Sequence, residues 1–156
     1  MSDQGRKYTA QDIVVYYQPR LCIHAAACVR GLPEVFDTQK KPRVQPEQAS
    51  AEAIAEVIQR CPSGALQYQR LDGGAGEPIP ASLSVQMVPG GPLYVRGPIV
   101  LKDAAGAVIY KGTRAALCRC GASHNKPFCG NSHEQTGFQA EGGWLLLELP
   151  GEASDG

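Results

Sequence analysis

The sequence predicts an α+β protein built as two small modules, and three observations carry that reading. A β-branched and aromatic run followed by an amphipathic helical stretch fills the first part of the chain, while the second part is a succession of short strand-like segments cut by glycine. Glycine and proline number 18 and 12 among 156 residues and aromatics make up only 6%, so turns are many and each core is modest. Six cysteines split three and three about Asp72-Gly73-Gly74-Ala75-Gly76-Glu77-Pro78-Ile79-Pro80, a stretch of linker composition. The expected organisation is a first module over 1–70, a linker over 71–81 and a second, β-rich module over 82–156.

In the first module, Asp12-Ile13-Val14-Val15-Tyr16-Tyr17 has strand composition. A helix is expected from Pro46 to Arg60: Pro46 suits the first helical position, Glu47 the positive end and Arg60 the negative end. Ile54, Val57 and Ile58 recur at i, i+3 and i+4 and give it one apolar stripe. Pro62 cannot continue the helix, which puts Cys61 at its end, facing back into the fold. In the second module Leu83, Val85 and Met87 alternate, and 92–95, 99–102 and 107–110 read as short strands. Asp103-Ala104-Ala105-Gly106 has the make-up of a hairpin loop, and Gly143 to Leu149 that of a closing strand.

Lys plus Arg number 15 and Asp plus Glu 15, and no half is basic enough for nucleic acid to be a bulk electrostatic partner. Apolar runs such as Ile13-Val14-Val15 and Leu145-Leu146-Leu147 are far short of a membrane span. The N-terminus has no apolar leader core, and Asp3 and Asp12 do not suit an acid-poor transit peptide, so a soluble, cytoplasmic protein is expected. Cytosolic thiols stay reduced, which disfavours disulfides, whereas modules this small generally need a staple. Metal is the expected one.

The second cysteine group reads Cys118-Arg119-Cys120-Gly121-Ala122-Ser123-His124-Asn125-Lys126-Pro127-Phe128-Cys129-Gly130-Asn131-Ser132-His133. Two thiolates one residue apart can clasp a metal from an extended loop. Cys129 and His133 are four apart, and Pro127 suits the start of a helical turn that would present both from one face. Three thiolates and an imidazole suit structural zinc and an iron–sulfur core about equally, and formal charge does not separate them. The C-x-C opening, tighter than the gaps typical of zinc sites, favours a cluster.

This string resembles the CDGSH-type, mitoNEET-like iron–sulfur family, whose motif C-x-C-x2-[ST]-x3-P-x-C-D-G-[SAT]-H is matched at Cys118, Cys120, Ser123, Pro127, Cys129, Ser132 and His133. The resemblance implies a 2Fe–2S cluster with Cys118 and Cys120 on one iron and Cys129 and His133 on the other. Gly130 stands where the family has Asp, and Asn131 where it has Gly; neither is a ligand, and the departure bears on the surroundings of the cluster. A neutral imidazole in place of a thiolate makes the core less negative and raises its potential. Protonation competes with iron for that nitrogen, so loss of the cluster in mild acid is expected.

Lys111, Arg114, Arg119 and Lys126 surround the group, and no acidic residue occurs between Asp103 and Glu134. These cations are read either as a solvated face or as a dock for an acidic flavoprotein or ferredoxin-like redox partner. His124 is expected on a surface loop, and Ser123 as a support through its hydroxyl. The family pairs two such modules through their strands, so one copy here implies a homodimer unless the first module takes the partner's place.

Cys22-Ile23-His24-Ala25-Ala26-Ala27-Cys28 is C-x5-C, and Cys61-Pro62 lies beyond the helix. Against the bacterial C-x2-C-x2-C and remote C-P pattern, Cys22 and Cys28 take the outer places, Ala25 the middle one, and Cys61 the remote one. With Pro33-Glu34-Val35-Phe36 adding to the match, residues 8–70 resemble a divergent single-cluster ferredoxin domain. Three ligands suffice for a 3Fe–4S core. A 4Fe–4S core needs water, a carboxylate or His24 on the fourth iron, and by simple counting His24 points the wrong way. Three buried free cysteines in a domain that has lost its cluster are the remaining alternative.

No Ser/His/Asp triad, paired-carboxylate pocket or phosphate-binding glycine loop occurs, so no catalysis on an organic substrate is expected. The expected function is one-electron transfer. Its rivals are a cluster carrier or redox- and pH-sensitive sensor, and a zinc-stabilised structural module.

Overall fold

A computed structural model describes residues 5–148. Its architecture is α+β, with two antiparallel sheets and three short α-helices among the described residues. The chain divides into two compact units, Met1–Cys61 with Ala65–Pro78, and Pro62–Gly64 with Ile79–Gly156.

The first unit holds β1 (Arg6–Thr9), β2 (Ile13–Tyr17), α1 (Ala27–Gly31), α2 (Ala51–Ile58) and β3 (Leu66–Arg70). Its sheet has the order β1-β2-β3, all antiparallel, with Val15 opposite Tyr8 on one side and Tyr68 on the other. Burial explains the central place of β2, because Ile13, Val14 and Val15 are all buried where an edge strand would show alternation. Ile13, Val15 and Leu66 form the core with Val35, Phe36, Val44 and the α2 residues Ala51, Ile54, Val57 and Ile58. The stripe read from the sequence is thus the buried face, each full-sized side chain contributing roughly 1.5–3 kcal/mol. The helix is shorter than expected. Pro46–Gln48 forms a separate 3-10 turn, Ala49 is extended, and α2 starts at Ser50, whose hydroxyl accepts the Ala53 N–H at 3.1 Å. Arg60 lies past its end, its N–H bonded to the Val57 carbonyl.

The second unit holds β4 (Ser82–Met87), β5 (Leu93–Lys102), β6 (Val108–Leu117), α3 (Ser132–Thr136) and β7 (Gly143–Glu148), with sheet order β6-β5-β4-β7. The two segments expected at 92–95 and 99–102 are one strand. Gly97 and Pro98 do not end it but sit where the pairing with β6 shifts between Arg96 and Ile99. Gly97 has φ +144°, and a Cβ there would lie 3.0 Å from the Leu83 Cα and the Ser82 carbonyl, so only glycine fits. The hairpin loop is where the sequence puts it: one Asp103 carboxylate oxygen accepts the N–H groups of Ala105 and Ala107, and Gly106 turns at φ +90°. The closing strand is β7; Leu149, its expected last residue, lies outside the described residues. Among the described residues no helix is long and apolar enough to cross a membrane.

Candidate metal centres

In the second unit the site grows from the end of β6. Leu117 bridges to Phe128, the Cys118 N–H donates to the Pro127 carbonyl and the Cys129 N–H to the Ala116 carbonyl, both at 2.8 Å. These bonds zip the return of the loop onto the strand and so bring the C-x-C segment beside Cys129. Phe128 anchors the zip through an edge contact with Tyr110 at 5.5 Å. Inside the loop the Ser123 hydroxyl donates to the Phe128 carbonyl at 2.7 Å and accepts the Asn125 N–H at 2.9 Å, a backbone support as expected. His124 is exposed.

The helical turn expected from Pro127 is not there. Phe128 is committed to the bridge, and α3 begins only at Ser132, after Asn131 in the left-handed region at φ 65°. Cys129 and His133 therefore meet across a loop and the first turn of α3. Asn131 replaces the family glycine at that left-handed position, and asparagine is among the side chains that tolerate it best. Gly130 replaces the aspartate; a Cβ there would lie 2.9 Å from the Ser123 oxygen, so a side chain would turn that hydroxyl away from its partners.

The donors form two pairs. Cys118 Sγ lies 3.9 Å from Cys120 Sγ, and Cys129 Sγ lies 3.8 Å from His133 Nδ1. A tetrahedral ion with metal–sulfur bonds of about 2.3 Å sets its ligand atoms about 3.7 Å apart, so each pair has the span of a clasp on one metal. Yet among the described residues no three His, Cys, Asp or Glu side chains converge as a group that could hold a single ion. Each pair taken by itself therefore has the reach to hold one metal.

Backbone N–H groups point at the sulfurs: Gly121 to Cys118 at 3.2 Å, Ala122 to Cys120 at 3.4 Å and Asn131 to Cys129 at 3.4 Å. For Cys118 burial raises the thiol pKa, but the Ser123 and Gly121 N–H groups and Cys120 outweigh it and the net shift is downward. Burial pushes the buried Cys129 thiol up; Cys118, Cys120 and Glu134 push the same way, and the Asn131 N–H opposes them. Thiolates that repel one another at such range call for a cation among them. The donor set fits an iron–sulfur core on that ground.

The basic residues around the site are not one solvated face. Arg114 is buried, and Arg119 is half-buried with its guanidinium donating to the carbonyls of Val88 at 2.7 Å, Gly91 at 3.1 Å and Glu141 at 3.2 Å while lying 5.5 Å over the Phe138 ring. Of the four, Lys111 and Lys126 are exposed.

In the first unit Cys22 follows a 3-10 turn at Pro19–Leu21, Cys28 stands in α1, and Cys61 follows α2 with its N–H on the Ile58 carbonyl. All three are half-buried, and Cys28 and Cys61 pack against the core. Burial raises the Cys28 thiol, and the charges of Cys61 and Cys22 raise it further while the Val29 N–H opposes. The three thiols are therefore electrostatic neighbours. Two residues between Cys22 and Cys28, His24 at φ 59° and Ala26 at φ 65°, are left-handed. The His24 N–H donates to Cys22 Sγ at 3.4 Å, and its Nδ1 lies 4.0 Å from the same sulfur.

Tyr17 belongs to this site and went unread in the sequence. Burial raises its phenol above the ordinary tyrosine range, and the charge of Cys22 and a hydrogen bond to that thiol raise it further, so the hydroxyl stays protonated. The signal was strand parity: Tyr17 shares the face of Ile13 and Val15, which turns it toward the core side where the cysteine loop closes.

Comparison with known proteins finds one family match in each part of the chain. Residues 8–71 match the family described as "Divergent 4Fe-4S mono-cluster", and residues 90–134 the family described as "Iron-binding zinc finger CDGSH type". The "Uncharacterized protein YjdI" of Escherichia coli strain K12 is 39% identical over 64 residues, which cover 41% of this chain and 84% of that protein. The protein of the same name from Escherichia coli O157:H7 matches with the same identity and coverage. No solved structure matches the chain.

Proposed function

The chain is a CDGSH-type iron–sulfur protein fused to a divergent 4Fe-4S mono-cluster domain and belongs to one family with the YjdI proteins; on that basis we propose that it carries single electrons between iron–sulfur centres and a redox partner. Cys118, Cys120, Cys129 and His133 hold a 2Fe–2S cluster, and Cys22, Cys28 and Cys61 hold a 3Fe–4S or 4Fe–4S cluster in a ferredoxin-like module. The observation that carries the reading is the pair of clasps, 3.9 Å between Cys118 and Cys120 and 3.8 Å between Cys129 and His133, one pair for each iron of a two-iron core.

When bound, the clusters supply a one-electron couple. The chain sets its poise: N–H groups on three sulfurs favour the more negative reduced state, and the imidazole of His133 removes one ligand charge. No substrate-transforming step belongs to this reading. The partner is an acidic flavoprotein or ferredoxin-like protein that meets the exposed Lys111 and Lys126.

Anaerobically purified protein is expected to be coloured, to contain iron and sulfide in excess of zinc, and to give two distinct EPR signals on stepwise reduction. A colourless preparation holding zinc alone would overturn the proposal. The half-buried His133, on a helix of only five residues, favours a second reading as a cluster carrier or acid-sensitive sensor. Stopped-flow reduction faster than cluster transfer to an apo-acceptor supports electron carrying; the reverse order, with transfer quickened by mild acid and slowed by His133→Cys, supports delivery.

A further inference from the structure

The cations of the first unit are placed differently from those of the second. Arg20 lies two residues before Cys22, Arg30 two after Cys28 and Arg60 one before Cys61, and all three are exposed. Each proposed ligand of the first centre thus has an exposed arginine within two residues of it. The fold brings further charge to the same place. A Cβ added to Gly31 would lie 3.6 Å from Arg60 Nη1, so that guanidinium reaches from beyond α2 to the end of α1, next to Arg30. Arg43 is close enough to Tyr17 for its charge to oppose the rise of the phenol pKa, and Tyr17 is the residue bonded to Cys22.

Arg43 belongs to a loop that adds two more charges. Phe36 and Val44 bridge across its base, and both are buried in the core against which Cys28 and Cys61 pack. The Asp37 N–H donates to the Arg43 carbonyl at 2.9 Å, and the Lys40 N–H to the Asp37 carbonyl at 3.2 Å. The root is therefore fixed beside the cysteines while Lys40, Lys41 and Arg43 are exposed. None of these three takes part in an ion pair among the described residues. Between Asp12 and Glu47 the chain has five cations against two acids, Glu34 and Asp37, and the Asp37 carboxylate accepts the Gln39 N–H inside the same loop.

We propose that this cationic rim of the first unit docks an acidic one-electron redox protein, as a second dock besides Lys111 and Lys126, so that electrons are exchanged at the first centre under electrostatic steering. The proposal rests on the reading of Cys22, Cys28 and Cys61 as cluster ligands. In the exchange the reduced centre loses one electron and the partner's oxidised centre gains it, with no bond made or broken. Six exposed cations around one exit concentrate an anionic surface there, whereas the second unit offers two exposed lysines.

The test uses the full, iron-loaded chain, reduced anaerobically and mixed with acidic plastocyanin or basic cytochrome c, both one-electron acceptors, while freeze-quenched EPR follows the first centre's own signal. Oxidation by plastocyanin is expected to slow about tenfold between low salt and high salt, and oxidation by cytochrome c to show no such loss. Lys40→Glu, Lys41→Glu and Arg43→Glu together should abolish the plastocyanin salt effect and transfer it to cytochrome c. The same three changed to Gln should give an intermediate effect at unchanged iron content, which separates charge from damage to the loop. Lys111→Glu with Lys126→Glu should leave the rate at the first centre within about twofold. An unaltered salt effect in the loop variants would overturn the proposal, as would its loss in the Lys111 and Lys126 variant. Binding of DNA or of phosphatidylglycerol vesicles to the rim, without any salt-dependent advantage for plastocyanin, would overturn it in favour of another polyanion. Iron and spectra accounting for the 2Fe–2S centre alone would overturn the underlying reading of the three cysteines as well, a result distinct from a loaded first centre that shows no steering.

Discussion

A cysteine ligates as its thiolate, so the environment of each sulfur decides how readily it takes up metal. Within one site the protein treats its thiols differently: N–H donors pull Cys118 down, while burial pushes Cys129 up. In metal-free protein Cys118 should therefore react with iodoacetamide at a lower pH than Cys129, since a lowered pKa leaves the thiolate populated further into acid. Mass spectrometry of protein labelled across a pH series reads the order directly, and Cys129 labelling first would contradict it. The residue types of the proposed ligands were legible because metal chemistry resides in side chains. The N–H groups on the sulfurs were not, since every non-proline residue carries the same donor and only the loop geometry aims it. Asn131 shows the middle case: a left-handed position is legible in a glycine, and less so once asparagine takes its place.

At the scale of elements, competing start signals decided what was read correctly. Pro46 and Ser50 are both good openings, and only the bond from the Ala53 N–H to the Ser50 oxygen shows that α2 begins at the second. Replacing Ser50 with Ala should cost about 1 kcal/mol, and amide exchange within α2 should quicken about fivefold; Ser50→Asp should retain most of the protection. Exchange followed by mass spectrometry in the iron-loaded protein checks this, and unchanged rates would show that packing alone holds the helix start. The apolar stripe of α2 was legible from periodicity. The strands β1 and β3 were not, because Arg6-Lys7-Tyr8-Thr9 and Leu66-Gln67-Tyr68-Gln69-Arg70 are short, polar edges whose conformation is set by pairing with β2. Gly97-Pro98 misled in the opposite sense, reading as a break where the strand only bulges.

For the whole molecule, two small units with slight cores depend on what binds them, and binding to the folded form alone adds to stability. Cys120→Ser takes one donor from the second centre and none from the first. Total iron should fall by the share of the second centre while the first signal persists, and the melting of the second unit should drop by roughly 10 °C or more. The single tryptophan, Trp144 in β7, reports that melting by fluorescence. Simultaneous loss of both signals would show that the two centres are loaded as one.

The anchoring of Arg119 reaches into kinetics. A guanidinium tied to three carbonyls and stacked on Phe138 stiffens the loop that bears Cys118 and Cys120 but is withdrawn from long-range attraction, as Arg114 is by burial. With two exposed lysines left of that cationic set, encounter with an acidic protein gains little steering here. Its rate should consequently fall only shallowly as ionic strength rises.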